Sequence, residues 1–272
     1  MKKTKILYIS QEITPYLPEN EMSVISRHLP QSIQEKGREI RTFMPKFGCI
    51  NERRNQLHEV IRLSGMNLII DDSDHPLIIK VASIQSARMQ VYFIDNEDYF
   101  QRKFILKDQS QQFYQDNDER MVFFAKGVIE TAKKLRWAPD IIHCHGWFTS
   151  IVPLYIKKAY NENPLFSHSK VIFSIYNGDE NDTVFDKTIK RKIKMEGITE
   201  KDLKMLDPAN YENILKLGIS NSDGVIFVSQ PVNDSIQQFV ETTNKPHIFH
   251  NNDTYIDTYS AFYDQILSNA SK

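Results

Sequence analysis

Short, almost unbroken apolar runs alternate along this chain with longer stretches whose apolar residues recur every three or four positions, and the alternation predicts strand and helix in turn. Lys5-Ile6-Leu7-Tyr8-Ile9-Ser10 has the form of a strand covered on both faces. Residues 11–21 contain Pro15 and Pro18, each without a backbone donor, and read as a loop. Met22, Ile25, Leu29 and Ile33 then fall at helical spacing, with Gly37 placed to end the helix. Ile40-Arg41-Thr42-Phe43-Met44 gives a second strand, stopped by Pro45. Strand, loop, helix, strand is the opening of a right-handed βαβ unit.

Between 57 and 94 the rhythm changes to turn-separated runs, Val60-Ile61-Arg62-Leu63, Leu77-Ile78-Ile79-Lys80-Val81 and Met89-Gln90-Val91-Tyr92-Phe93-Ile94, with Asp71-Asp72-Ser73-Asp74 as the clearest turn. This predicts an antiparallel excursion that returns to the main sheet at Val91 to Ile94. Residues 95–116 read as polar, aromatic-rich loop, and 117–135 as a helix capped by Asp116 or Asn117, with Val122, Phe123, Val128, Ile129, Ala132 and Leu135 buried. Alternation then resumes: strand Ile141 to His145, helix 148–160, strand 170–176, a helix ending at Ile219, strand 224–229 and helix 232–240. A short strand at 246–249 and an amphipathic helix at 255–267 close the chain. The pattern predicts an α/β fold: a Rossmann-like, doubly wound, mostly parallel sheet with an antiparallel excursion. The expected division is residues 1–250 as this domain and 251–272 as a C-terminal helix packing back on it.

Composition narrows the function classes. With 272 residues, 40% apolar and 25% charged, and no linker-like tract, one domain is expected. Thirty-four Lys+Arg against 35 Asp+Glu leave a formal net charge of −1, which calls for no nucleic-acid or anionic-membrane partner. Cys49 and Cys144 lack any CxxC spacing, so neither a disulfide scaffold nor a zinc site is indicated, and a reducing cytoplasm is the expected location. Met1-Lys2-Lys3-Thr4-Lys5 is basic, but the apolar run behind it is too short for a signal-peptide core, and no 18-residue apolar run occurs.

The candidate chemistry lies in Pro139-Asp140-Ile141-Ile142-His143-Cys144-His145-Gly146-Trp147, a buried strand ending in a polar elbow that runs into a helix. Open α/β sheets bind ligands at such strand ends. His143 and His145 face the same way along the strand, but no third ligand stands at fixed spacing, so hydrogen bonds closing the strand end are expected, with no metal and no cofactor. The basic run Lys187, Lys190, Arg191, Lys192 and Lys194 lies in a charged stretch, 177–207, and reads as a solvated helical excursion in preference to a phosphate site.

These motifs, in this order, resemble the N-terminal, catalytic-type domain of bacterial glycogen and plant starch synthases. The residues that carry the likeness are Ser10-Gln11-Glu12-Ile13-Thr14-Pro15 after the first strand, Asp116-Asn117-Asp118-Glu119-Arg120 at a helix start, and the elbow itself. Phe173-Ser174-Ile175-Tyr176-Asn177 and Lys216-Leu217-Gly218-Ile219 through Val228-Ser229 complete the series. The resemblance implies one half of a two-domain, GT-B type fold and a retaining transfer of glucose from ADP-glucose to an α-1,4-glucan. It implies donor-sugar contact by His145 and binding roles for His143, Trp147, Asp116, Asn117, Tyr176 and Asn177. Its ligands would be an α-glucan or a nucleotide sugar, with room for a protein partner or a homo-oligomer.

Three departures bear on mechanism. Where the family carries Lys-x-Gly-Gly-Leu in its phosphate loop, this chain has Pro18, Glu19, Asn20, Glu21 and Met22, which removes a cation and two glycines and adds an anion. Gly146 replaces the family's Asp, and Tyr176 its His. No arginine follows Arg191 and no glutamate follows Glu241, so a short form without the family's second domain is expected, its activity alone doubtful. The alternative is a non-catalytic protein that binds α-glucan or a partner enzyme through Tyr92, Tyr99, Phe100, Phe104, Phe113 and Tyr114, residues that equally suit a hydrophobic core.

Overall fold

The computed structural model describes residues 3–178, 184–231 and 233–269. Among them ten strands form one mixed sheet: β1 (Lys5–Ser10), β2 (Glu39–Pro45), β3 (His58–Glu59), β4 (Met66–Ile70), β5 (Ser73–Ile84), β6 (Met89–Asp95), β7 (Ile141–His145), β8 (Lys170–Ile175), β9 (Gly224–Phe227) and β10 (His247–Phe249). The helices are α1 (Glu21–Glu35), α2 (Glu97–Phe100), α3 (Asn117–Lys134), α4 (Ile151–Leu154), α5 (Ile189–Ile193), α6 (Tyr211–Ser220), α7 (Asp234–Thr242) and α8 (Tyr255–Ser268).

The order β10-β9-β8-β7-β1-β2-β6 is parallel throughout; β5 then pairs antiparallel with β6, and β3 and β4 pair antiparallel with β5. This is the doubly wound sheet with an antiparallel excursion that the apolar pattern predicts. Parallel crossovers are right-handed, so connections running in opposite directions along the sheet place their helices on opposite faces. From β1 the chain steps through α1 to β2, whereas β6 to β7 and every later step run the other way. Accordingly α3, α4, α6 and α7 pack on one face, over Leu7, Ile9, Ile142, Cys144, Phe173 and Phe227. On the other face α1 is the crossover helix among the described residues, and α8 lies beside it, burying Tyr259, Phe262, Tyr263 and Ile266 against Ile6, Tyr8, Ile141, Ile172 and Ile226. Without α8 that half of the face would be bare.

Some local expectations are corrected. Val60 to Leu63 is not a strand: Val60 N–H bonds to Ile79 O and Leu63 N–H turns back to Val60 O. The outer strand is β4. Residues 147–159 are helical, but as a 3-10 turn, the four-residue α4 and a π turn in succession. Pro153 lacks the N–H that a regular α-ladder would need there. Asp116 precedes α3 without capping it through its side chain, since its carboxylate is held bidentately by Arg102. Val232, expected to begin a helix, and 179–183, expected within the charged excursion, lie outside the described residues, as do Met1 and Lys2.

Candidate functional site

The direction of winding reverses between β1 and β7, which makes that junction the topological switch point, where ligands enter such sheets. The elbow stands there. β7 is paired with β1 on one side (Ser10↔His145) and with β8 on the other (His145↔Ser174). Gly146 then takes φ +84°, a conformation that favours glycine, and a Cβ at this position would stand 2.7 Å from Met22 Cε. Gln11 ties the neighbouring loop to the elbow: its N–H donates to His145 O (3.3 Å) and its Oε1 accepts from Phe148 N–H (3.3 Å).

His143 and His145 point to the α1/α8 face, and both are fully buried with ring centroids 3.9 Å apart. His143 lies between two hydroxyls, Tyr263 at Nδ1 (2.7 Å) and Ser174 at Nε2 (2.7 Å). His145 Nδ1 is 2.8 Å from Tyr176 Oη, while its Nε2 has no hydrogen-bond partner among the described residues. Burial pushes the pKa of His145 down to about 3; burial, then the neighbouring His145, holds His143 well below its ordinary value. Both rings are neutral at pH 7. The hydroxyls of Tyr176 and Tyr263 are shifted upward by burial first and remain protonated donors.

Above this pair opens a cleft of about 280 Å³ lined by Gln11, Glu12, Asn20, Glu21, Met22, Trp147, Tyr176, Asn177, Gly178, Tyr211 and Ser229. A second depression of about 400 Å³ shares Tyr176, Asn177, Gly178 and Tyr211 with it. Among the described residues no lysine or arginine lines the cleft, but two carboxylates do. Asn20 caps α1, its Oδ1 accepting from Ser23 N–H (2.8 Å) while its Nδ2 donates to Glu12 (2.6 Å). Ser23 Oγ in turn donates to Pro18 O (3.0 Å), and Glu19 is exposed beside it. Glu21, in the first turn of α1, accepts a hydrogen bond from Ser229 Oγ across the cleft. The helix terminus that could receive an anion thus already carries one.

Of the residues singled out from sequence, Trp147, Tyr176 and Asn177 join the phosphate-loop positions Asn20 and Glu21 around the cleft. Trp147 is nonetheless buried, with its ring against Phe113, Phe185 and Tyr211. Asn177 Nδ2 donates to Pro231 O (2.6 Å). His143 and His145 are fully buried and do not line the cleft, and neither do Asp116 and Asn117. Asn117 is buried at the start of α3, donating to Leu106 O (2.8 Å) and accepting from Arg120 Nη1 (2.5 Å), so it braces the 101–116 loop. Tyr92, Tyr99 and Phe100 are core residues.

The basic run also differs from its expected form. Lys190 pairs with Asp207, Arg191 with Asp71 and Lys194 with Glu200. Lys192 is buried, 2.9 Å from both Asp118 and Glu119, and so is not solvated. Tyr8 and Tyr263 escaped sequence reasoning. Tyr8 is the parallel-register partner of His143, a relation readable once β1 and β7 are known to be neighbours. Tyr263 comes from 120 residues further on, and no local signal marks it. No group of three or more His, Cys, Asp or Glu able to hold a metal occurs among the described residues.

The sequence profile of the starch synthase catalytic domain family matches residues 5–264, nearly the whole chain. The chain belongs to that family. Its relatives include the glycogen synthase of Chlorobium limicola, 38% identical over 174 residues that make up 64% of this chain and 36% of that protein. The glycogen synthase of Chlorobium luteolum is 33% identical over 241 residues, 85% of this chain and 47% of that protein. The chain therefore spans less than half the length of these starch synthase family relatives. Among solved structures, the catalytic domain of Arabidopsis thaliana starch synthase IV, bound to ADP and acarbose, superposes with a TM-score of 0.73 at 18% identity. The match covers 93% of this chain and 52% of that one, which gives the chain the fold of one half of a GT-B catalytic domain. No helix among the described residues is long and apolar enough to cross a membrane.

Proposed function

We propose that this family member uses the switch-point cleft to bind the neutral hydroxyls of an α-glucan or sugar, and that the cleft does not accept the diphosphate of ADP-glucose. The observation that carries the reading is the Glu21 carboxylate on the α1 N-terminus, fixed by Ser229 and with Glu12 beside it in the same cleft. A phosphate about 4 Å from a single carboxylate is repelled by roughly 1–4 kcal/mol per pair of charges, between water-like and surface-like dielectric. Stabilising a departing diphosphate needs preorganised cations, and no described cleft-lining residue is one. Glucose transfer by the family reaction would thus depend on groups from outside these residues. Residues 1–250 would act as the sugar-binding Rossmann unit and 251–272 as its returning helix, with the free thiols Cys49 and Cys144 suited to the cytoplasm.

Calorimetry separates the ligands. Maltooligosaccharides give binding heat and ADP and ADP-glucose give none; saturable ADP binding with no response to maltooligosaccharides overturns the reading. The glucosyl-transfer reading rests on family membership over 5–264. Its test is glucose incorporation into glycogen from ADP-glucose, with the protein alone and in lysate.

A further inference from the structure

The buried, unpartnered Nε2 of His145 requires an explanation, because a polar atom stranded in the interior costs about 1–3 kcal/mol. We infer that Tyr176 is a positioning residue: its hydroxyl donates to His145 Nδ1, fixes the Nε2–H tautomer, and leaves His145 with a donor that no described group takes up.

The geometry runs in one direction. An imidazole that stays neutral has one N–H and one lone pair, and the partner on one nitrogen decides which is which. Among the described residues the hydrogen-bond partner of His145 is Tyr176 Oη, 2.8 Å from Nδ1. With the hydroxyl proton directed at Nδ1, the ring proton resides on Nε2. His143 differs: hydroxyls stand at both nitrogens, so its hydrogen bonding is complete within the protein and offers nothing outward. The adjacent rings, 3.9 Å apart, are therefore unequal, one closed and one with a donor left over.

Tyr176 is also a wall of the cleft, and its carbonyl accepts from Tyr211 Oη, a second wall residue (3.4 Å). The one side chain that sets the histidine's tautomer thus borders the space where a ligand would enter. A neutral N–H suits an uncharged oxygen acceptor, and a carboxylate-lined cleft disfavours an anionic one. This assignment of ligand class rests on the sugar-binding reading above, but the tautomer does not.

The test is 15N NMR of the histidine rings in the whole chain, with and without Tyr176→Phe. In the wild type, Nε2 of His145 gives the pyrrole-type resonance of a protonated nitrogen. Nδ1 gives an imine-type resonance displaced by an accepted hydrogen bond. In Tyr176→Phe that displacement disappears and an Nδ1–H population emerges, while His143, whose partners Tyr263 and Ser174 are untouched, keeps its resonances and reports an intact fold. A protonated Nδ1 in the wild type, or an Nδ1 resonance unchanged in the variant, overturns the inference, and the wild-type spectrum suffices if the variant fails to fold. Added maltose should move the Nε2 resonance. If it does not, the sugar-binding reading is the one that fails, and the tautomer assignment stands on the spectra without ligand.

Discussion

Two fully buried, neutral histidines make stability depend on pH in a calculable way. The pKa of His145 is about 3 in the folded protein against an ordinary 6.5, because burial disfavours its charged form. Between those values the unfolded chain binds a proton that the folded chain does not, so stability is fully present above pH 6.5 and falls as pH drops toward 3. At about 1.4 kcal/mol per pH unit, His145 alone removes about 2 kcal/mol by pH 5 and about 5 kcal/mol over the whole interval. His143 acts in the same direction. Buried Asp95 and Asp118, whose pKa values burial raises despite their lysine partners, act in the opposite one. The assay is therefore a comparison: urea unfolding of wild type and His145→Gln from pH 7 to 4. Between pH 5.5 and 4 the wild-type stability should fall more steeply than that of the variant, by about 1.4 kcal/mol per pH unit. Equal slopes would refute the argument that His145 is buried neutral.

Three further outcomes follow from particular contacts. Lys192→Ala strands the fully buried Asp118 carboxylate and should cost about 3–5 kcal/mol at pH 7, read as a lowered urea midpoint. Tyr263→Phe removes the hydroxyl that meets His143 Nδ1 and, at 3.3 Å, Tyr8, and should destabilise by about 1–3 kcal/mol; no change in midpoint would mean that this hydroxyl adds nothing to the docking of α8. The double variant Asn20→Gly, Glu21→Gly takes one carboxylate and one side chain off the α1 N-terminus, and ADP binding by calorimetry should strengthen about tenfold or more.

Much of the fold is legible because fully covered strands are continuous apolar runs: β1, β7, β8 and β9 are buried at nearly every position. β4 was missed for the converse reason. In Met66-Asn67-Leu68-Ile69-Ile70 the unbroken apolar run is only three residues long, Asn67 separates it from Met66, and the Asp71-Asp72-Ser73-Asp74 turn follows at once, so the strand signal is weak. The site was half legible. Spacing along one strand puts His143 and His145 on one face, and motif likeness draws attention to Tyr176 and Glu21. What the histidines touch depends on α8, which arrives from the far end of the chain because the winding direction leaves that half of the face uncovered. The mate of Glu21, Ser229, is likewise 208 residues away.

The departures around the elbow behave as one packing arrangement and not as separate losses. Gly146 adopts φ +84°, and any Cβ there meets Met22 Cε at 2.7 Å and Sδ at 2.9 Å, so the aspartate that the family carries cannot enter while Met22 holds its place. Met22 follows Glu21, whose carboxylate is tied to Ser229 across the cleft, and Asn20 fixes the same turn through its cap. Glu21 therefore also anchors the helix turn whose next residue occupies the space beside Gly146. Tyr176, where the family has histidine, completes the arrangement by reaching His145 Nδ1 from the opposite wall. Restoring Asp at 146 alone would impose positive-φ strain of about 1–3 kcal/mol and displace Met22, with the α1 N-terminus still carrying Glu21. Donor binding would require the exchange of both sides of the cleft together.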